Sequence, residues 1–345
     1  MNVLIAGAGA LGSALAVSLA RAGARVTLAE PSPVGANASG VAAGMLAPVF
    51  ESLFDAGPEA LETFRGARDL WPDFAASVQI NLDRTGAMAL GLDSELDEWG
   101  AQLAAWGDPA ARLSPAQARE RSPWLADGFG GLYTDQDWRL DAGAALQALR
   151  DAAERAGVRR LAAGVDGFEP GRASLAGGET IDADILIIAT GASRALIDIA
   201  PELGALTPIK GHILRAPGLA LTGPTVRFEG GYVCPARDGA IIGASMEFGR
   251  DDTVVDPAAI QRIRDLAAPV LPAIAATPFT AAVGVRADTP DHRPLVGPSA
   301  APGVWLAVGA RRNGWLLAPM IAEAVTRAMM GGEIDAVFDP GRFDG

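Results

Sequence analysis

Lysine, cysteine and histidine are nearly missing from this chain, and each scarcity closes a route to function. Lys210 is the sole lysine in 345 residues and Cys234 the sole cysteine. One cysteine builds no disulfide framework and no cysteine-based metal site. Cys234 reads as a small buried hydrophobe on a strand, not as a nucleophile. His212 and His292 lie in different segments with no partner pattern, so they read as structural groups rather than acid/base catalysts. Asp and Glu are plentiful but show no metal-ligand spacing, and no metal is expected. Positive charge is also short: 28 Lys and Arg face 41 Asp and Glu, a formal net charge of −13. A field of that sign repels phosphate backbones and no basic cluster offsets it, so no nucleic-acid partner is expected.

Long apolar runs are scarce too, with one stretch to account for. Residues 3–20 carry no charge, but no basic segment precedes them and Gly7, Gly9 and Gly12 interrupt them, which argues against an export signal. Nothing else is long and apolar enough to span a bilayer. A cytoplasmic protein without a membrane partner is the expectation. Half the residues are hydrophobic and a fifth charged, as in an ordinary globular protein. The length suggests about two domains. Oligomeric state is not readable, and a homo-oligomer stays open.

What is present begins with a β-α-β unit. Val3-Leu4-Ile5-Ala6 is a short apolar run suited to a strand buried on both faces. A glycine turn, a helical stretch over 11–22 stopped by Gly23, and a second strand over 25–30 follow. Residues 31–48 form a small-residue loop too long for a tight turn, and loops of that length in compact domains are usually functional. Residues 58–82 read as helical, 141–156 as an amphipathic helix and 165–182 as a hairpin. Residues 183–189 read as a buried strand ending at Thr190-Gly191-Ala192. From 208 to 246 the pattern changes to short strands broken by Gly and Pro, suggesting an antiparallel sheet. A strand over 304–308 and a helix from Trp315 close the chain. The expected fold class is α/β (α+β overall), a Rossmann-like nucleotide-binding domain interrupted by a second, antiparallel-sheet domain. The expected boundaries are 1–82, 142–205 and 287–345 for the first and 83–141 and 206–286 for the second.

Gly7-Ala8-Gly9-Ala10-Leu11-Gly12 fits G-x-G-x-x-G between strand and helix. Gly7 permits the tight turn, Gly9 lets backbone approach a pyrophosphate, and Gly12 lets helix and strand pack closely. The helix N-terminus favours the negative charge. Glu30 ends the second strand, where a carboxylate accepts hydrogen bonds from a ribose hydroxyl and repels the 2′-phosphate of NADP.

Further segments carry a resemblance. They are Ala38-Ser39-Gly40-Val41-Ala42-Ala43-Gly44-Met45-Leu46, the 87–91 strand, Gln136-Asp137-Trp138-Arg139-Leu140-Asp141, Ile209-Lys210-Gly211 and Tyr232-Val233-Cys234-Pro235 with 239–246. Near the C-terminal end they continue with Gly284-Val285-Arg286-Ala287-Asp288-Thr289-Pro290-Asp291 and Arg312-Asn313-Gly314-Trp315-Leu316-Leu317-Ala318-Pro319. In order and nearly end to end, the chain resembles the glycine oxidase and D-amino-acid oxidase family of FAD enzymes, on the glycine oxidase side. The resemblance implies FAD as cofactor. Its implied contacts are Gly7, Gly9, Ala10, Leu11, Gly12, Glu30 and Pro31, then Ala38, Ser39, Ala43, Gly44, Met45 and Leu46. Val165, through backbone atoms, and Gly191 follow, with Arg312, Asn313, Gly314, Trp315 and Leu316 at the last helix.

The same resemblance places Arg286 on the substrate carboxylate, a role suited to a permanently charged, planar fork. Tyr232 would add a second hydrogen bond, and Met246 and Arg312 would line the substrate pocket. No dedicated catalytic base is implied. The implied reaction is oxidative deamination of a small amino acid or amine by hydride transfer to flavin, reoxidised by dioxygen to give hydrogen peroxide. In such enzymes glycine oxidation often supplies an imine for thiamine thiazole synthesis. A flavin dehydrogenase feeding a quinone or carrier, and a flavin-binding protein without catalysis, are the alternatives. Two departures leave the amine open among glycine, sarcosine and a D-amino acid: Gly309-Ala310-Arg311 stands for Gly-His-aromatic, and Trp315 for a smaller aliphatic residue. Ala287 stands for a proline in its matching segment.

Overall fold

The computed structural model describes residues 1–343. A six-stranded sheet runs in the order Leu295–Pro298, Val304–Val308, Ile185–Ile188, Asn2–Ala6, Arg25–Ala29, Arg159–Leu161. All its pairs are parallel except the outer one between Leu295–Pro298 and Val304–Val308. The first strand is apolar at successive positions because both faces are covered. Val3 and Ile5 pack into a core with the helices Ala10–Arg21, Ala142–Arg155 and Gly314–Met329. Leu4 and Ala6 face the other way, against Val165, Ala173, Leu175 and Ile181. Side chains alternate across a strand, so a sheet buried on both sides reads as a continuous run.

A nine-stranded sheet takes its strands from 87–134 and 207–288. Its long strand, Thr207–Pro217, pairs with Thr280–Asp288 on one side and Gly239–Gly243 on the other; Gly231–Ala236 and Thr225–Phe228 follow. The pairings are antiparallel, apart from Thr225–Phe228 with Ala87–Leu90. The helix Pro257–Ala267 covers one face through Ile260, Ile263 and Ala267. A small sheet of Met45–Leu46, Trp138–Leu140 and Leu82–Asp83 completes the set. The α/β class with an antiparallel insertion is therefore observed.

Three local expectations need correction. The helical stretch over 58–82 is two helices, Pro58–Asp69 and Trp71–Val78. Pro72 has no N–H to donate back one turn, so the first helix cannot run through it. Gln79, at φ 64, ends the second helix in the left-handed conformation. The 31–48 loop holds a short helix, Ala38–Val41, whose Asn37 side chain accepts from the Gly40 N–H. The 165–182 hairpin is a three-stranded meander, because Thr180–Ile181 adds to its edge.

Candidate active site

The glycine turn is built as its spacing requires. Gly7 sits at φ 104, and a Cβ there would lie 2.4 Å from the Ala189 carbonyl oxygen. A Cβ on Gly12 would stand 1.9 Å from the Gly7 carbonyl oxygen, so the helix rests on backbone. Gly9 is the N-cap, and it offers no side chain to the helix's free N–H groups. Ala10 N–H donates to Ser39 Oγ at 2.9 Å, which ties the 38–46 loop to that helix start. Glu30 is held by two backbone donors, Ala8 N–H and Ser32 N–H, each at 3.0 Å. Bare backbone at a helix N-terminus, with a fixed carboxylate at the end of the next strand, fits the pyrophosphate and ribose of a dinucleotide.

A cavity of about 1110 Å³ opens beyond this turn. Ala38, Ser39, Ala43, Gly44 and Met45 line one wall; Arg312, Asn313, Gly314 and Trp315 line another; Tyr232 and Arg286 stand on the large sheet, and Met246 lies in the link between its strands Gly239–Gly243 and Glu247–Phe248. The structure thus gathers twelve expected residues into one space. The glycine turn, Glu30 and exposed Pro31 lie outside it, as do Leu46 and Leu316 (both fully buried), Val165 in the meander and exposed Gly191. Trp315 is fixed in this wall. Its Nε1 donates to the Ser39 carbonyl at 3.0 Å, and its ring packs 6.3 Å from that of Trp71.

Two glycines create the polar end. Arg286, on Thr280–Asp288, lays its guanidinium over Gly211 of the neighbouring strand: a Cβ there would be 2.5 Å from Nη2. Tyr232, on Gly231–Ala236, lays its ring over Gly243, where a Cβ would be 2.6 Å from the hydroxyl. Gly243 pairs with Ile213 on the strand that carries Gly211, so the two side chains converge from opposite sides across two central strands. Any larger residue at either position would occupy the space they use.

The electrostatics suit an anion. Among the described residues Arg286 makes one hydrogen bond, Nη1 to the Ser245 carbonyl at 3.4 Å, and no ion pair, so its charge is available. Burial lowers its pKa, opposed by Tyr232. Burial pushes the Tyr232 hydroxyl up to about 12 against the pull of Arg286, which keeps it a donor near neutrality.

Behind these groups lies a charge cluster that sequence reasoning missed. Glu51 Oε1 accepts from Arg227 at 2.7 Å and from Arg312 at 3.3 Å. Burial pushes the Glu51 carboxyl up, but Arg312, Arg227 and Arg311 outweigh it and hold it at about 2. Arg227 pairs across strands with Tyr232 and so shares its face. Asp137 accepts from Val49 N–H at 2.8 Å and Phe50 N–H at 3.1 Å, which fixes the backbone that presents Glu51. Burial nevertheless pushes Asp137 up to about 7, against Arg227 and those two donors. Arg311 pairs with Asp55 and, at 3.1 Å, with Asp288. Arg227 and Arg312 stand 176 and 261 residues from Glu51, so no local spacing announces them.

The remaining candidates face elsewhere. Gly211 and Ile213 line the cavity, whereas Lys210 and His212, on the alternate face, are fully buried away from it. Lys210 pairs with Asp252. His212 Nε2 accepts from Asp256 N–H at 2.9 Å, and its Nδ1 lies 3.0 Å from Ser245 Oγ. Cys234 is buried, and burial raises its pKa. No helix of the described residues is long and apolar enough to cross a membrane, and no His, Cys, Asp or Glu cluster among them has metal-site geometry.

Comparison with known proteins bears on what the cavity holds. Residues 2–328 match the family described as DAO, FAD dependent oxidoreductase. The chain is similar to a glycine oxidase of Geobacillus kaustophilus, 29% identical over 94% of this chain and 93% of that protein. It is also similar to the bifunctional protein ThiO/ThiG of Trichormus variabilis, 32% identical over 94% of this chain and 52% of that longer protein. The crystal structure of glycine oxidase from Geobacillus kaustophilus superposes with a TM-score of 0.88 at 27% identity, covering 99% of both chains.

Proposed function

The chain belongs to the DAO family of FAD-dependent oxidoreductases, and from that premise we propose that it oxidatively deaminates a small amino acid such as glycine, sarcosine or a D-amino acid. The observation that carries this reading is the convergence of Arg286 and Tyr232 over Gly211 and Gly243, in the cavity that the 38–45 loop and the 312–315 helix start also line. We assign residues 1–82, 142–205 and 287–345 to cofactor binding, of which 344–345 lie outside the described residues, and 83–141 and 206–286 to the substrate.

FAD would rest its pyrophosphate on the Gly7–Gly12 turn and its ribose on Glu30, with the Ala38–Leu46 loop and Arg312–Leu316 against the flavin. Bound there, it would supply a two-electron acceptor for the hydride leaving the substrate, one that dioxygen can reoxidise. Arg286 grips the substrate carboxylate with its fork, and Tyr232 donates a second hydrogen bond. Together they fix the orientation of the reacting C–H bond, which is the main catalytic task when no proton need be removed by the protein. None of the cavity groups with a resolved shift sits near neutrality: Glu51 is held at about 2 and Tyr232 at about 12. In this reading the amine reacts in its neutral form, and neither Glu51 nor Tyr232 is poised to take its proton. Arg312 and Arg227 set the positive potential of the pocket; Glu51 holds them in place, and Asp137 fixes the backbone that carries Glu51. The balanced outcome is amino acid, dioxygen and water giving keto acid, hydrogen peroxide and the free amine, which is ammonia from glycine or a D-amino acid and methylamine from sarcosine. A cytoplasmic setting suits the buried, unpaired Cys234, and the relatives' names suggest a place in thiamine synthesis.

Aerobic incubation of the FAD-loaded protein with glycine, sarcosine and D-alanine tests this. Hydrogen peroxide should form in step with keto acid from at least one of them; no peroxide and no keto acid from any amino acid would overturn it.

A further inference from the structure

The cavity of about 1110 Å³ extends past the carboxylate anchor and past the two walls assigned to the flavin, and its remaining lining has a different chemistry. Its cations, Arg227, Arg286, Arg311 and Arg312, belong to the polar end described above. Beyond them the lining comes from five separate stretches and is mainly apolar: Leu90 and Leu92, Trp99, Phe129, Phe228, and Leu266. Leu92 is 71% exposed and Leu266 45%, whereas Arg227 and Tyr232 are below a tenth, so the apolar lobe is the outer part and the anchor the inner. The lobe is shaped deliberately. Gly91 leaves room for Trp99, whose ring would come within 2.7 Å of a Cβ there, and Phe54 closes edge-on against Trp99 at 5.0 Å. The charged residues of this part of the lining are Glu95, Glu229 and Asp265, all anions.

A water-exposed apolar surface of this extent, continuous with a buried carboxylate anchor, is stabilised by a ligand that covers both. We propose that the preferred substrate is an amino acid whose nitrogen or α-carbon carries an apolar substituent of several carbons, the carboxylate on Arg286 and Tyr232 and the substituent in the Leu92–Trp99–Phe129–Leu266 lobe. A second carboxylate on that substituent is rejected, because it would meet only anions and apolar carbon there. The inference rests on the proposed amino-acid oxidation and names its substrate class. Glycine and sarcosine then become poor substrates that use the anchor alone.

The test is kcat/KM of the FAD-loaded enzyme across graded series. One arm runs from sarcosine to N-ethyl-, N-butyl- and N-benzylglycine; the other uses both enantiomers of alanine, leucine and phenylalanine; glutamate and iminodiacetate serve as dicarboxylates. Each methylene that enters the lobe should raise kcat/KM about fourfold, in whichever arm places its group there, and the dicarboxylates should fall below their apolar counterparts. The exposed pair Leu92→Ser with Leu266→Ser should reduce the large-to-small ratio of kcat/KM about tenfold, and an unchanged ratio in protein that retains its FAD overturns the inference. Oxidation of glycine or sarcosine with falling kcat/KM for every larger substrate overturns the inference and leaves amino-acid oxidation standing. Oxidation of none overturns both.

Discussion

Gly211→Ala offers a sharp test of the site because it adds one methyl group and touches nothing chemical. Gly211 lies on a regular strand outside the left-handed region, so alanine is compatible with its backbone. The new Cβ would stand 2.5 Å from Arg286 Nη2, 2.7 Å from Cζ and 2.8 Å from Nη1, where ordinary contact begins at 3.4 Å. The guanidinium must retreat by about 0.9 Å. A displacement of roughly 1 Å in a positioning group costs on the order of 100-fold in rate, or about 2.7 kcal/mol of transition-state stabilisation. The atoms that must move are the far end of a flexible side chain, so stability should change by less than about 1 kcal/mol. FAD should remain bound, since Gly211 is remote from the glycine turn. The assay is kcat/KM for the best amino acid beside the thermal midpoint and flavin content of the same preparation. A kcat/KM within threefold of wild type, with FAD bound, would refute the claim that Arg286 works from its place over Gly211.

Other perturbations separate neighbouring roles. Arg286→Ala should weaken binding of competitive carboxylates, read from the flavin spectrum, by at least about 100-fold, and Arg286→Lys should recover only part because lysine lacks the fork. Gly9→Ala should leave the apoprotein within about 0.5 kcal/mol of wild type yet weaken FAD about tenfold or more, since its Cβ meets only Ser39 Oγ at 3.1 Å. Gly12→Ala, whose Cβ would stand 1.9 Å from backbone, should destabilise the fold itself by about 1–3 kcal/mol or more; equal effects of the two in denaturant titration would contradict the division. Asp137 has a raised folded pKa, so its contribution to stability is present below its unfolded value of 3.8 and is lost as pH rises towards about 7. Glu51, held down at about 2, contributes above its unfolded value of 4.5 and loses that contribution as pH falls below it. Between pH 4.5 and 7 the slope should therefore belong to Asp137 and flatten in Asp137→Asn; an unchanged slope in chemical denaturation would count against this assignment.

The cofactor half of the site was legible because its determinants are local. A glycine turn, the helix it opens and a carboxylate one strand later are read within the first thirty residues, and their spacing is set by backbone geometry alone. Arg286 and Tyr232 were legible through resemblance, but not the reason they meet. That reason is two glycines on neighbouring strands, which in sequence look like ordinary sheet breakers. Glu51 was invisible because it follows an apolar stretch, and its partners Arg227 and Arg312 arrive from distant segments by tertiary folding. Arg311 looked like a charge replacing an aromatic wall; in the fold it is consumed by Asp55 and Asp288. The break at Pro72 and the third strand of the meander were missed for a simpler reason: helical composition and turn glycines were weighed without the single residue that ends or extends the element.

The most direct test of the account is anaerobic mixing of the FAD-loaded protein with single amino acids while the visible absorbance of oxidised flavin is followed. Loss of that absorbance with an amino acid, and its slowing by Arg286→Ala, is the predicted result. Flavin that stays oxidised with every amine offered, in protein that retains its FAD, would contradict the central claim.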